Sequence, residues 1–375
     1  MGSAAPAGMA MPSYADMSIT MEKLNKNELA EYHANPGIVS IAHPMPVKLI
    51  EPLPAGNGEA IAAADAPTWG LEAVGAAQSA YSGAGVKVAV LDTGIDPQHA
   101  AFDGVQLVRH NFTAEVDDDI QGHGTHVAGT ILGRNVDGHR IGVAPGIETA
   151  IIGKVLGAGA SNTGSILKAI QWAADQGASI ICMSLGIDFV GYVQSKVNRG
   201  YPQPAAISEA LAAYMANVKA YANLARYVAT RGEFQNPALL VAASGNESQR
   251  YNPPVFEINH AIPAAADPIV SVGALEQTPD GMRAANFSNT GVEVVAPGMH
   301  IASARLGGGL VPFDGTSMAA PHVAGVLALW AEQLQNTGQM SIQRLRAKLV
   351  GNATQAGLVP GFDPADVGAG LVQAP

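Results

Sequence analysis

Three polar side chains, far apart along the chain, have the chemistry that nucleophilic catalysis needs. Ser317 lies in the stretch 315–322, His123 in the stretch 122–129, and Asp92 follows an apolar run. A serine hydroxyl is a weak nucleophile until an imidazole accepts its proton, and a carboxylate can orient and stabilise that imidazole. These three residues are therefore candidates for a single catalytic site.

The sequence around each candidate predicts the element that holds it. The β-branched run Val86 to Leu91 predicts a buried strand that ends in Asp92, at the sheet edge where open α/β proteins place their ligands. Small-residue helices are predicted to begin at His123 and at Ser317, with Pro321 in the first turn of the second helix. Taken singly, the serine could instead be a helix cap and the aspartate a turn residue.

The chain resembles the subtilisin-like serine peptidases. The motifs that carry this resemblance are 90–96, 122–129, 315–322 and the stretch Ala243-Ser244-Gly245-Asn246. The order Asp, His, Ser is the order of the subtilisin arrangement. The resemblance runs from Trp69 to the C-terminus. It implies an α/β fold: a subtilisin-like, doubly wound, mostly parallel β-sheet with helices on both faces.

The resemblance also implies a function and a role for each candidate residue. Ser317 would attack the scissile carbonyl, His123 would shuttle the proton, and Asp92 would orient the imidazole. Asn246 would donate to the oxyanion beside the backbone N–H of Ser317. The expected function is that of a serine endopeptidase. Alternatives are a specialised processing peptidase or a transpeptidase (peptide ligase) of the same family, and, from another class, an inactive peptide-binding relative.

Substrate-binding residues are carried over from the family in the same way. Its peptides lie extended between two backbone segments. The matching residues here are Gly159, Ala160 and Ser161 on one side and Ser184, Leu185 and Gly186 on the other, with Ala243, Ser244 and Gly245 as the wall of the first pocket. Leu185 is expected to form a pocket floor, and Glu247 at the rim to favour a basic group. Ile262-Pro263 resembles a segment at the pocket base whose proline is often cis. The alternative is that these are ordinary sheet and loop residues.

No cofactor is required for this chemistry, and the site residues include no predicted metal ligand. Calcium remains an open expectation. The family's usual calcium site looks degraded, because Ala101 replaces a carboxylate, and the acidic run Asp117 to Asp119 is either a calcium loop or a solvated one. The spacing of His123 and His126 does not match the zinc-protease pattern. His126 and His322 are expected to be packed structural histidines.

Composition excludes several classes of function. Of the 375 residues, 48% are hydrophobic and only 14% are charged, which is typical of a globular α/β protein. A net charge of −11 argues against nucleic acid as a partner, and the absence of a long apolar run argues against a membrane span. Polypeptide substrates are the expected partners.

Cys182 is the only cysteine, and it is predicted to be buried. No signal peptide is visible, so the expected location is cytoplasmic, or secreted if a signal has been removed.

The chain divides into a leader, 1–58, and a catalytic domain, 59–375. The leader is expected to be propeptide-like or disordered, with disorder over 1–22, a helix over Glu22 to Tyr32 and a strand over Ile38 to Ala42. Val47 to Leu53 resembles the short extension of intracellular subtilisins. The leader could therefore act as an intramolecular inhibitor, which would make the chain a zymogen; the alternative is a mere linker. Pro52 to Pro67 is the expected processing joint, with self-cleavage near Ala60.

An insertion is expected at about 187–237, since relatives need fewer residues there. Apolar residues at helical spacing predict a long helix over Ala205 to Arg231. The insertion follows the predicted substrate-binding edge, so it could form a lid or rim that narrows substrate choice. A longer core helix with an idle loop is the alternative. Elsewhere, strands are predicted at Val86–Leu91, Ala150–Val155, Ser179–Met183, Leu239–Ala243 and Ile269–Val272.

Overall fold

The structure is a computed structural model and describes residues 17–54, 68–157, 161–230 and 237–375. The helices of these residues are α1 (Lys26–Ala34), α2 (Trp69–Ala73), α3 (His123–Leu132), α4 (Thr163–Asp175), α5 (Phe189–Asn198), α6 (Gln203–Ala229), α7 (Thr316–Asn336), α8 (Ile342–Gly351) and α9 (Pro364–Val367). The strands are β1 (Val47–Leu49), β2 (Leu53–Pro54), β3 (Lys87–Asp92), β4 (Gln106–Asn111), β5 (Thr149–Lys154), β6 (Ile180–Met183), β7 (Leu185–Ile187), β8 (Leu239–Ala243), β9 (Val270–Thr278), β10 (Gly281–Ala284), β11 (Val294–Pro297), β12 (Ile301–Ala304) and β13 (Leu310–Asp314).

A mostly parallel sheet forms the centre of the described residues. Six parallel strands run in the order β9-β8-β6-β3-β5-β4, β11 adds to β9 in parallel, and β10 is antiparallel at one edge. Helix α3 connects β4 to β5, α4 connects β5 to β6, and α5 and α6 connect β6 to β8, as is usual between parallel strands, whereas β8 continues to β9 without a helix. This doubly wound α/β sheet is the predicted fold class, and β3, which carries Asp92, lies inside it.

Apolar helices cover both faces of the sheet. One buried cluster includes α3, α7 and α8, and the other includes α4 and α6. The small residues of α7 let it lie deep in the first cluster, since a Cβ on Gly325 would lie 2.5 Å from the Cβ of Val143. Cys182 is buried on the sheet, as predicted, and burial raises the pKa of its thiol.

All five strands of the predicted sheet occur, β8 with the predicted bounds and the other four with shifted bounds, and the long helix occurs as α6. The strand predicted over Ile38 to Ala42 is wrong, because a strand needs a backbone partner and the leader first pairs at Pro46, with Asn162. The leader helix begins at Lys26 rather than at Glu22. Asn25 caps it by accepting from the N–H groups of Asn27 and Glu28, while the Glu28 carboxylate accepts from the N–H of Asn25.

Two further segments differ from expectation. Residues 17–22, expected to be disordered, are held against α4, where Gln171 Nε2 donates to the carbonyl of Met17 at 2.6 Å. The segment before the long helix, an idle loop in the alternative interpretation of the insertion, is the helix α5, which Asp188 caps by accepting from the N–H of Gly191 at 3.0 Å. The expected processing joint lies mostly at 55–67, outside the described residues, as does Ala60. Among the residues that are described, no helix is long and apolar enough to cross a membrane.

Candidate active site

Asp92 and His123 lie together at the carboxyl edge of the sheet. Asp92 is the last residue of β3 and His123 is the first residue of α3. A hydrogen bond of 2.8 Å joins Oδ1 of Asp92 to Nδ1 of His123. Both side chains are buried. Gly124 allows this approach, because a Cβ there would lie 2.2 Å from the carbonyl oxygen of Gly94. Among the described residues, Nε2 of His123 has no hydrogen-bond partner, which leaves it able to accept a proton.

Asp119 fixes the start of α3. Its Oδ1 accepts from the N–H groups of Gln121 and Gly122, and its Oδ2 accepts from the N–H and the hydroxyl of Thr125. Asp119 is itself buried. Four donors at the helix start are satisfied by one carboxylate, so Asp119 orients the backbone that carries His123. Sequence reasoning missed this role, although an aspartate shortly before a helix is the signal that could have revealed it.

Ser317 is the second residue of α7 and is fully buried, as expected for a serine at a buried helix start. Pro321 lies inside the helix rather than in its first turn, because α7 begins at Thr316. A proline has no N–H to donate to the carbonyl four residues earlier, which here is that of Ser317. The hydroxyl of Ser184 donates to that carbonyl instead, at 3.2 Å. Ser184 therefore helps to hold the backbone of Ser317.

The amide of Asn246 has a defined orientation. Its Oδ1 accepts from the N–H of Thr316 at 2.9 Å and from the Thr316 hydroxyl at 2.8 Å. Both partners are donors, so the oxygen must face Thr316 and the NH2 group must face the cleft. There Nδ2 donates to the carbonyl of Glu51 at 3.0 Å. The amide is thus held as a hydrogen-bond donor next to the start of α7.

A segment of the leader occupies the predicted substrate groove. Strand β1 pairs antiparallel with β7, in a register that places Val47 opposite Ile187, Lys48 opposite Gly186 and Leu49 opposite Leu185. On the side of β1 opposite β7, the N–H of Val47 donates to the carbonyl of Ser161 at 3.0 Å. Gly159 and Ala160 lie outside the described residues. The groove therefore binds a polypeptide by main-chain pairing on both sides, with the chain's own leader as the bound strand.

The leader then passes directly over the serine. The hydroxyl of Ser317 donates to the carbonyl oxygen of Ile50 at 3.0 Å, and the next carbonyl, that of Glu51, takes the donor of Asn246. Ile50 is 4% exposed, and its Cγ1 would lie 3.6 Å from a Cβ on Gly186. Beyond it, β2 pairs antiparallel with β13, which immediately precedes α7. The peptide bond nearest the hydroxyl is the one between Ile50 and Glu51.

The predicted pocket residues are placed as follows. Ala243 shares a buried cluster with Ile50, whereas Leu185 belongs to the cluster on the α4 and α6 side. Ser244 is buried, and Gly245 has a φ of 114°, where a Cβ would lie 2.4 Å from Nδ2 of Asn289.

Two other expectations concern the neighbours of this pocket. Glu247 forms an ion pair with Lys48, at 3.5 Å, so the basic group it meets lies two residues before Ile50 and not at Ile50 itself. The bond between Ile262 and Pro263 is cis.

His126 and His322 are packed in the core, as predicted. Nε2 of His126 lies 2.9 Å from the carbonyl of Ile301 and 3.1 Å from that of Val311. Burial, and to a lesser extent the nearby His123, lowers the pKa of His126 to about 3. Burial likewise lowers the pKa of His322 to about 4. Both rings are therefore neutral at ordinary pH.

The acidic run before α3 is occupied by protein contacts. Asp117 accepts from the amide of Asn111 at 3.2 Å, Asp118 pairs with Arg109, and Asp119 caps α3. Within the described ranges, no group of three or more His, Cys, Asp or Glu side chains is arranged to hold a metal ion. The expectation for this run is either a calcium loop or a solvated loop. A solvated loop fits Asp118, whose side chain is 58% exposed, but not the buried Asp119.

Known proteins resemble this chain in sequence and in fold. Residues 83–370 match the Subtilase family. A thermophilic serine proteinase of Bacillus sp. strain AK1 is 32% identical over 72% of this chain and 58% of its own length. Alkaline elastase YaB of Bacillus sp. strain YaB is 34% identical over 82% of this chain and 68% of its own. An intracellular serine protease of Paenibacillus polymyxa is 34% identical over 68% of each.

A solved structure agrees with these relatives. Fervidolysin from Fervidobacterium pennivorans, a keratinolytic enzyme related to subtilisin, superposes with a TM-score of 0.60 at 26% identity, over 87% of this chain and 50% of that one. The chain thus spans under three fifths of the length of several relatives it matches. The family match nevertheless covers far more than half of the chain, from before β3 to beyond α9. The chain belongs to the subtilase family.

Proposed function

We propose that the chain is a serine endopeptidase that forms an acyl-enzyme on Ser317. The observation that carries this proposal is the position of the leader. A polypeptide is paired along β7, and one of its carbonyl oxygens lies 3.0 Å from the Ser317 hydroxyl. The site therefore accepts extended main chain and presents a peptide bond to the candidate nucleophile. Membership of the subtilase family supports the same reaction.

The proposed steps assign one role to each candidate residue. His123 takes the hydroxyl proton on Nε2 while Oγ of Ser317 bonds to the carbonyl carbon, and Asp92 stabilises the imidazolium through Nδ1. Asn246 Nδ2 and the N–H of Ser317 stabilise the oxyanion. The carbon–nitrogen bond then breaks, and the leaving amine receives the proton from His123. Water, deprotonated by His123, hydrolyses the acyl group and restores Ser317.

We further propose that the leader inhibits this site within the same molecule. The Ser317 hydroxyl donates to the Ile50 carbonyl oxygen, so its proton is directed to the bound peptide rather than to His123. The donor of Asn246 is used by the Glu51 carbonyl, one residue beyond the bond nearest the hydroxyl. Attack at Ile50 needs its oxygen, not that of Glu51, at Asn246. The bound leader thus blocks the groove in an unproductive alignment.

The test is product analysis by mass spectrometry with the full-length chain. Internally quenched peptides that contain the sequence of residues 45–50 followed by alanine are expected to be cut after the isoleucine. Their products should carry a free carboxylate, and a lag is expected while the leader leaves the groove. The Ser317→Ala chain is the control and should give no product. Transfer of the acyl group to an added amine, with little free acid, would instead assign a transpeptidase.

Peptide binding without any cleavage would contradict the proposal and assign the inactive peptide-binding class. Cleavage that persists in the Ser317→Ala chain would contradict it as well, because the acyl-enzyme needs the hydroxyl.

A further inference from the structure

A second binding feature lies along the leader, upstream of β1. Met45 is the sixth residue counted back from Ile50, with Ile50 as the first, and its side chain is completely buried. It belongs to the buried cluster that lies beside α4 and α6, together with Ile166, Leu167, Ile170 and Tyr221. A leader residue thus fills a deep apolar space in the body of the enzyme.

The main chain around Met45 is held by groups that would hold any peptide. The N–H of Met45 donates to the Thr163 hydroxyl at 3.1 Å, and its carbonyl accepts from the N–H of Thr163 at 2.9 Å. The N–H of Asp188 donates to the carbonyl of Pro46 at 2.9 Å. These contacts use backbone atoms of the leader, so they do not depend on its side chains. They continue the pairing of β1 along the same line.

Asn217 in the middle of α6 supplies an independent observation. It is 1% exposed, and its Nδ2 donates to the carbonyl of His43 at 2.8 Å as well as to that of Ala213 at 2.9 Å. A buried amide hydrogen that loses its acceptor is costly. The bond to His43 therefore gives α6 a donor aimed at peptide backbone that comes from outside the helix.

We propose that α6 and the start of α4 form a specificity pocket for the sixth residue before the cleaved bond of a polypeptide substrate, and that this pocket takes a long, unbranched apolar side chain such as methionine. We name it the Met45 pocket, after its occupant in the leader. It rests on the proposed function, because the polypeptide that would fill it during catalysis is a substrate of the same site. It also gives the insertion a role: α6 extends the groove rather than covering it as a lid.

The size of the effect follows from burial. Complete burial of a methionine side chain corresponds to roughly a 10- to 100-fold change in binding. A peptide with methionine at the sixth position should therefore be cut with a kcat/KM about 10- to 100-fold above that of its alanine counterpart. An aspartate there should do worse than alanine, because an unpaired carboxylate would have to enter an apolar space.

The experiment uses the full-length chain with Met45→Asp, which should expel the leader and leave the pocket open. The matched control is Val39→Asp, which places the same charge on an exposed leader residue and should keep the leader bound. Quenched peptides with methionine, alanine or aspartate at the sixth position are compared with a shorter peptide that begins at the fourth position and lacks that residue. The methionine peptide should be cut faster than the shorter peptide, and the aspartate peptide should not.

A second measurement guards against a variant that does not fold. The peptide of residues 43–50, labelled with a fluorophore, is titrated against the Ser317→Ala chain carrying Met45→Asp or the milder Met45→Ala, and its binding is followed by anisotropy. Binding at least about tenfold tighter than that of the alanine-substituted peptide is expected. Cleavage or binding without any preference at the sixth position would overturn the pocket alone. Binding with preference but no cleavage would overturn the proposed function and leave the pocket standing.

Discussion

At the scale of single residues, orientation decides what each side chain can do. Asn246 serves as a donor because Thr316 accepts nothing from it and donates to it twice. His123 keeps Nε2 available because its other nitrogen is bound to Asp92. Such roles depend on neighbours that are remote in the sequence, so residue type alone does not reveal them.

Replacing Asn246 by alanine removes the proposed side-chain donor to the oxyanion. We expect kcat for a quenched peptide to fall by about a hundred- to a thousand-fold with little change in KM, a magnitude taken from subtilisin rather than from this structure. Steady-state kinetics measure both constants. A loss confined to KM would mean that Asn246 only binds substrate.

Replacing His126 by glutamine should make the free energy of unfolding less dependent on pH. The folded pKa is about 3, and the usual value of a histidine is about 6.5. Between these values the unfolded chain binds more protons, so the free energy of unfolding falls as the pH falls through this window. Urea titrations at pH 7, 6, 5 and 4 measure the slope. An identical slope in His126→Gln and in the parent chain would contradict burial of a neutral ring.

At the scale of elements, the site is built where helices begin. Asp119 caps α3, and Ser184 replaces the bond that Pro321 cannot make in α7. Both contacts hold a backbone that carries a candidate catalytic side chain. The acidic run likewise has two distinct parts, the exposed residues Asp117 and Asp118 and the buried cap Asp119.

The matched pair Asp119→Ala and Asp118→Ala tests this division. Loss of Asp119 leaves four donors without their carboxylate and should cost roughly 1–3 kcal/mol in the free energy of unfolding, with a lower kcat as His123 loses its fixed position. Loss of Asp118, an exposed partner of Arg109, should cost about 0–1 kcal/mol. Urea unfolding and peptide kinetics are the measurements. Equal costs would show that the cap is unimportant.

Periodicity and motifs predicted the elements that hold Asp92, His123 and Ser317, because each combines a strong local pattern with a long buried run. The same reasoning failed for Ile38 to Ala42 and for α5. A short apolar stretch becomes a strand only if a partner strand is near, and the residues of α5 are not buried. The path of Met45 through the groove depends on Thr163 and Asn217, which no local pattern connects with it.

At the scale of the whole molecule, long-range contacts join the ends of the chain to the site. The leader enters the groove through β1, and the C-terminal part is tied in by Arg250. The side chain of Arg250 is 4% exposed, donates to Asp366 at 2.6 Å and to Glu257 at 2.7 Å, and also reaches the carbonyl of Ser288. This arginine lies shortly after Asn246, so it anchors the segment that carries the proposed oxyanion donor.

Arg250→Met should therefore be strongly destabilising. It leaves the buried carboxylate of Asp366 without its cation, which typically costs about 3–5 kcal/mol. Arg226→Met is the matched control, because the ion pair of Arg226 with Asp267 is exposed and should contribute about 0–1 kcal/mol. The midpoint of urea unfolding compares the two variants. Similar midpoints would show that the buried ion pair of Arg250 stabilises the fold no more than the exposed pair of Arg226 does.

The most direct measurement is the labelling rate of Ser317 with a serine-directed fluorophosphonate, followed by peptide mass spectrometry on the full-length chain. We expect one adduct, on the peptide that contains Ser317, and a rate at least about a hundredfold lower in His123→Ala, since a positioned base supplies that much or more. An adduct elsewhere, or a rate at Ser317 that His123→Ala leaves unchanged, would contradict a serine activated by His123 and Asp92.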